Sequence, residues 1–254
     1  VGSAANCGSA MIVLNTIMAK QLRVFKIAVD ARIAKGEGKD EAILKELQSM
    51  IKNSKKIRFE GNGYGDEWVI EAEKRGLANL KDTPRALQIW HDKNVAKLFD
   101  EMGVLSPREL DARREIEFEN YVLKIQIESR LMGDLIQNNF IPAAVEYQNK
   151  LISNVQGLMS VLGDKAGKAA AKAQIEIIEK ISTHMNKMKA ASDAMLEQRK
   201  IANKLEHAED KALAYCDNVK SHFDEIRYHA DKLELLVEDE LWPLPKFREM
   251  LFTR

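Results

Sequence analysis

Ser106–Gly163 reads SPRELDARREIEFENYVLKIQIESRLMGDLIQNNFIPAAVEYQNKLISNVQGLMSVLG, and this stretch decides the fold. It opens on a helix-start signature. Ser106 is placed to cap, Pro107 takes the first helical position, and Glu109 can reach back to complete a capping box. No glycine follows until Gly133, and apolar residues keep helical spacing as far as Gly163. As one helix, residues 107–141 span about 50 Å. Pro142 lacks an N–H and crowds the carbonyl four residues back, so it is expected to bend this helix without having to end it.

Downstream the same periodicity resumes. After AGKAAAKAQ come Ile175, Ile178, Ile181, Met185, Met188, Met195, Leu205, Ala208, Ala212 and Tyr215, then Ile226, Leu233 and Leu236. Charges of both signs fill the other faces, which predicts long antiparallel helices packed in a bundle. Trp242-Pro243-Leu244-Pro245 stops the last of them.

Upstream, DTPRAL predicts another start, with Asp82 or Thr83 as the cap and Pro84 just inside. KKIRFEGNGYGDEW reads as strand and turn, Asn62-Gly63 being a tight-turn dipeptide. Trp68 is expected to start a short helix that Gly76 ends. Asp40 caps a helix with Ile43, Leu44, Leu47, Met50 and Ile51. Ser3 or Asn6 caps a first helix with Met11, Leu14, Met18, Leu22, Phe25 and Val29, which stops near Lys35 ahead of Gly36 and Gly38. The expected fold is mainly α: a long antiparallel helical bundle with a small loop or strand segment near residues 55–66.

The totals agree and exclude several roles. The chain has 254 residues, 45% hydrophobic, with only 13 Gly and 5 Pro. Lys+Arg and Asp+Glu balance at 39 each, so no basic surplus points to nucleic acid. No apolar run approaches a membrane span. Two distant cysteines, Cys7 and Cys216, make no disulfide framework and read as small buried residues in a reducing, cytoplasmic setting.

Chemistry-bearing candidates are few. FEGNGYGDEW has glycines at 61, 63 and 65 but lacks the Lys-Ser/Thr of a phosphate-binding loop, so a plain hairpin or loop is the better reading. His222 and His229 share a helix face with Glu225 between them. A bundle metal centre needs Glu-x-x-His pairs, and none occurs, so these read as bundle-face histidines. No catalytic, cofactor-binding or metal-binding residue is assigned in this chain. Composition and spacing alone describe a helical, partner-binding or structural protein, and a self-contained helical scaffold or signalling bundle is the alternative.

Taken together, VGSAANCGSAMIVLNTIMAKQL, FEGNGYGDEWVIEAEKRGL, DTPRALQIWHDKNVAKLFDEMGVLS, IQIESRLMGDLIQNNFIPAAVEYQNKLI and AYCDNVKSHFDEIRYHADKLELLVEDELWPLPKFREMLF resemble the C-terminal region of type III glutamine synthetases. Ala4 stands where that family has a second serine. The resemblance implies a chain that begins just after the last catalytic strand, and so lacks the metal-binding carboxylates and nucleotide loops. It implies that residues 1–120 form the helical tail of the catalytic domain and 121–254 a type III extension ending in the WPLP turn. For the intact enzyme it implies glutamine synthesis from glutamate, ammonia and ATP through γ-glutamyl phosphate, with Mg2+ or Mn2+. It implies a ring-shaped homo-oligomer, a double hexamer in this type. Tyr64 lies in a place comparable to a tyrosine adenylylated in shorter bacterial enzymes. Its surroundings do not match, and it is not read as a modification site.

The apolar ending WPLPKFREMLF is expected to fold back and dock, with Trp242 and Phe247 as its structural anchors because aromatic side chains bury the most area.

Overall fold

A computed structural model describes residues 7–252, apart from the side chains of residues 247 and 248. It is almost wholly helical, with no strand among the described residues. The chain divides into two compact units, Val1–Glu117 and Phe118–Arg254.

The first unit begins with α1 (Gly8–Ile33) and α2 (Lys39–Asn53). Ser3 and Asn6, expected as caps, lie outside the described residues. Gly36 turns the chain at φ 91°, a conformation only glycine adopts freely. Gly38, not Asp40, occupies the cap of α2, and Asp40 sits in its first turn, where a negative charge suits the helix N-terminus. A 3-10 turn at Ser54–Ile57 leads through a loop to α3 (Asp66–Lys74). The stretch read as strand or turn is therefore turn and loop. Then come α4 (Thr83–Leu87), a 3-10 turn at Gln88–His91, and α5 (Lys93–Glu101). Asp82 is the cap of α4, its carboxylate accepting from the Arg85 N–H at 2.9 Å. Phe99, Leu105 and Leu110 form the core of this unit, with Ile12, Val13 and Trp90 packed against them.

The division falls within α6 (Pro107–Leu135). Its start is the expected capping box. Glu109 accepts from the Ser106 N–H and Oγ–H at 2.8 Å each, and Ser106 Oγ accepts from the Glu109 N–H at 3.4 Å.

In the second unit α6 passes through one π turn, Ile136–Phe140, into α7 (Ile141–Leu162). The widened turn gives the Pro142 ring room, so the helical run continues past it. After Gly163 follow α8 (Asp164–Ala170) and α9 (Lys172–Ala202). Then come α10 (Ala208–Ala214), a second π turn at Tyr215–Val219 and a 3-10 turn at Lys220–His222. Next are α11 (Phe223–Leu236) and α12 (Phe247–Met250). Gln126 meets Asn203 and Gln148 meets Ser182, so α6 and α7 run antiparallel to α9. Asn203 meets Tyr215 while His184 meets His229, so α9 and α11 are antiparallel too. Ile181, Met188, Met195, Tyr215, Val219 and Leu233 are fully buried between them.

Candidate interaction site

Helix α1 places its apolar residues in an unexpected direction. Thr16 is buried, with Oγ1–H donating to the Ile12 carbonyl at 2.6 Å, and Ile12 and Val13 pack towards α5. Lys20, on the same side, pairs with Glu101 of α5. The opposite side holds Met11, Leu14, Met18 and Leu22, four of the six residues of the expected apolar row, while Phe25 further along is half-buried and Val29 buried. The first four are 53–60% exposed. On α2, Leu44, Leu47 and Ile51 are exposed as well. Arg32 and Glu46 join the two helices at 3.2 Å. Cys7, expected to be buried, is exposed, and Cys216 is only half-buried.

The glycine-rich loop is built as a closed surface loop. Phe59 and Trp68 pack at its base, 4.5 Å between ring centroids and tilted by 32°. Arg75 lies over Trp68 at 5.7 Å, donates to the Arg58 carbonyl at 2.7 Å and pairs with Glu71 at 2.7 Å. Gly61 lies close under the Phe59 ring, where a Cβ would come within 2.7 Å of it and the ring would have to shift. Asn62 Oδ1 accepts from the Tyr64 N–H at 3.0 Å, leaving the Tyr64 side chain fully exposed at the tip. The loop offers an aromatic contact and a backbone turn, and its sequence lacks the Lys-Ser/Thr of a phosphate-binding loop.

At the other end of the chain, Trp242 is buried and stacks on Phe140 of the π turn, 4.9 Å apart and 5° from parallel. Lys246 holds the turn that follows. Its Nζ donates to the Val237 carbonyl at 3.0 Å and to Asp239 at 2.7 Å. The side chain of Phe247, the second expected anchor, lies outside the described residues. Met250, Leu251 and Phe252 are exposed. Sequence reading did not foresee Phe140 as the receptor of Trp242, because no periodicity links residues a hundred positions apart.

His229 finds its partner on another helix. Its Nδ1 lies 2.9 Å from Nδ1 of His184 on α9. Burial above all lowers the pKa of each from the ordinary histidine value. Among the described residues no three His, Cys, Asp or Glu side chains are grouped to hold a metal ion, and no helix is long and apolar enough to cross a membrane.

Comparison with known proteins gives these surfaces a context. Residues 42–159 match the family described as the glutamine synthetase C-terminal domain. The whole chain is 42% identical to part of a glutamine synthetase from Bacteroides fragilis, covering 35% of that protein. It is 32% identical to a type-3 glutamine synthetase from Dictyostelium discoideum, covering 34% of it. Over 86% of the chain it is 33% identical to a glutamine synthetase from Butyrivibrio fibrisolvens, covering 31% of it. The chain thus spans about a third of the length of these curated relatives.

Proposed function

We infer that this chain, related over its whole length to glutamine synthetases and through residues 42–159 to their C-terminal domain, is a structural and assembly region of such an enzyme. The observation that carries this reading is the uncovered row on α1. Met11, Leu14, Met18 and Leu22 stand at core spacing but lie in water. Covering apolar surface is worth roughly 25 cal/mol per Å2, and the rest of a polypeptide about three times this length supplies the cover.

In this reading the intact enzyme transfers the γ-phosphoryl group of ATP to the side-chain carboxylate of glutamate. Ammonia then attacks the carbonyl carbon of γ-glutamyl phosphate, and phosphate leaves with the C–O bonding electrons. Loss of a proton from nitrogen gives glutamine. A divalent Mg2+ or Mn2+ neutralises phosphate charge when bound. The described residues of this chain do not fit that group. They offer no three-ligand cluster, and the loop at residues 60–67 lacks phosphate-binding side chains. No step is assigned to a residue here. The enzyme works in the cytoplasm as a ring-shaped homo-oligomer, a double hexamer, whose other subunits are the partners of this region. Residues 1–120 are the helical tail of the catalytic domain and 121–254 form the long-helix extension.

The test uses three proteins: this chain alone, the Bacteroides fragilis enzyme with its matching third replaced by this chain, and the same enzyme with that third removed. Glutamine formation and particle mass are measured. The chain alone is expected to be inactive, the chimera active and ring-forming, and the truncated enzyme neither. Turnover by the isolated chain above contaminant level, or a truncated enzyme with unchanged mass and rate, overturns the reading.

A further inference from the structure

The buried positions of α9 and α11 are apolar apart from Ser192 and His229. Along α11 the buried positions are Ile226, His229 and Leu233. Along α9 the fully buried Ile181 and Met188 flank the half-buried His184. Each helix thus places an imidazole where its spacing calls for an apolar side chain.

The two rings face each other, Nδ1 to Nδ1 at 2.9 Å. One must donate its Nδ1 proton and the other accept it, so the neutral pair holds opposite tautomers. A first added proton can sit on the far nitrogen of the donor ring and leave the bond in place, but burial opposes the charge it brings. A second must go to the accepting Nδ1, whose lone pair is already engaged. Two N–H groups of two cations would then point at one another.

The surrounding charges reinforce this. Lys187 on α9 and Lys232 on α11 disfavour added positive charge, while Glu225, one turn before His229, favours it. Tyr228 sets its ring edge-on to both imidazoles. From α7 the contact nearest this level is the neutral Gln148–Ser182 hydrogen bond.

We propose that the His184–His229 pair is an acid-released latch, which holds α11, and with it the short connection that seats Trp242 on Phe140, against α9. The sign follows from linkage. Both imidazoles have their pKa lowered in the closed form, His184 by burial, then His229 and the two lysines, and His229 by burial, then Lys187. The open form takes up protons around the ordinary value of 6.5 and the closed form only below it. The latch is therefore at full strength above that value and is lost as pH falls through it. Each unit between the open and closed pKa values changes the closed-to-open ratio about tenfold.

Two measurements on the 254-residue chain test the proposal. Nitrogen-detected NMR at neutral pH should find one Nδ1–H and one Nε2–H tautomer at these positions, titrating in two separated steps. Hydrogen exchange, corrected for its intrinsic pH dependence, should show protection of residues 223–242 falling about tenfold or more between about pH 7.5 and 5.5, with α1 and α2 unaffected. In His184→Leu/His229→Leu the fall should vanish, because an apolar pair has nothing to protonate. Two rings titrating independently at the ordinary value overturn the proposal, and so does an undiminished fall in the double variant. Should that variant not fold, the NMR titration of the unaltered chain decides.

Discussion

The indole of Trp242 has one face on Phe140 and a turn pinned behind it by Lys246. Removing it leaves a cavity over the π turn. Trp242→Ala is therefore expected to cost roughly 3–5 kcal/mol, the range for truncating a buried aromatic, read as a lower urea midpoint at unchanged m-value. Exposed Leu251 and Phe252 supply the contrast, since Leu251→Ser/Phe252→Ser should stay within about 0.5 kcal/mol. A Trp242→Ala variant inside that same margin would show that the stacking contributes nothing. Local chemistry of this kind was partly legible in the sequence. The Ser106–Glu109 box and the Asp82 cap are short-range, so their residues sit within three positions of the groups they satisfy. The Phe140–Trp242 stack and the His184–His229 pair join distant positions and leave no short-range trace.

At the scale of elements, periodicity set the helices and small residues set how close they come. Gly167 on α8 is buried against α7. A Cβ there would lie 2.5 Å from Cα of Met159, and backbone cannot move aside as a flexible side chain can. Gly167→Ala is expected to destabilise the second unit by roughly 1–3 kcal/mol, as overpacking does, although alanine is the better helix former in isolation. A stability equal to the parent in thermal unfolding would mean that the α7–α8 approach is looser than it stands here. The spacing of apolar residues showed the run that holds α7, but neither the short α8 nor its close approach to α7. The segment read as strand or turn shows the opposite limit. KKIRFEGNGYGDEW has too few alternating residues to pair with anything, and Phe59 satisfies its apolar side by packing against Trp68 instead. The π turn before Pro142 was foreseen only as a bend, because sequence gives the cause of the distortion and not its form.

For the whole molecule, the informative feature is a helix that faces outward. The apolar row of α1 was plain in the sequence, but periodicity identifies an apolar face without saying what covers it. Within this chain α1 turns Thr16 and Ile12 inward, and leaves Leu14 and Leu22 in water. The double variant Leu14→Gln/Leu22→Gln separates the two meanings of that face. In the isolated chain it removes no buried contact, so stability should change by no more than about 0.5 kcal/mol, and any self-association through the face should weaken. In the chimera with the Bacteroides fragilis enzyme, the same two side chains would be buried against the remaining two thirds. There the change places two unpaired amides in a covered surface, at about 1–3 kcal/mol for each unsatisfied group. Ring assembly and glutamine formation should fall together. If the variant unfolds the isolated chain, the row is already covered within it. If it leaves the chimera untouched, another surface joins this region to the enzyme.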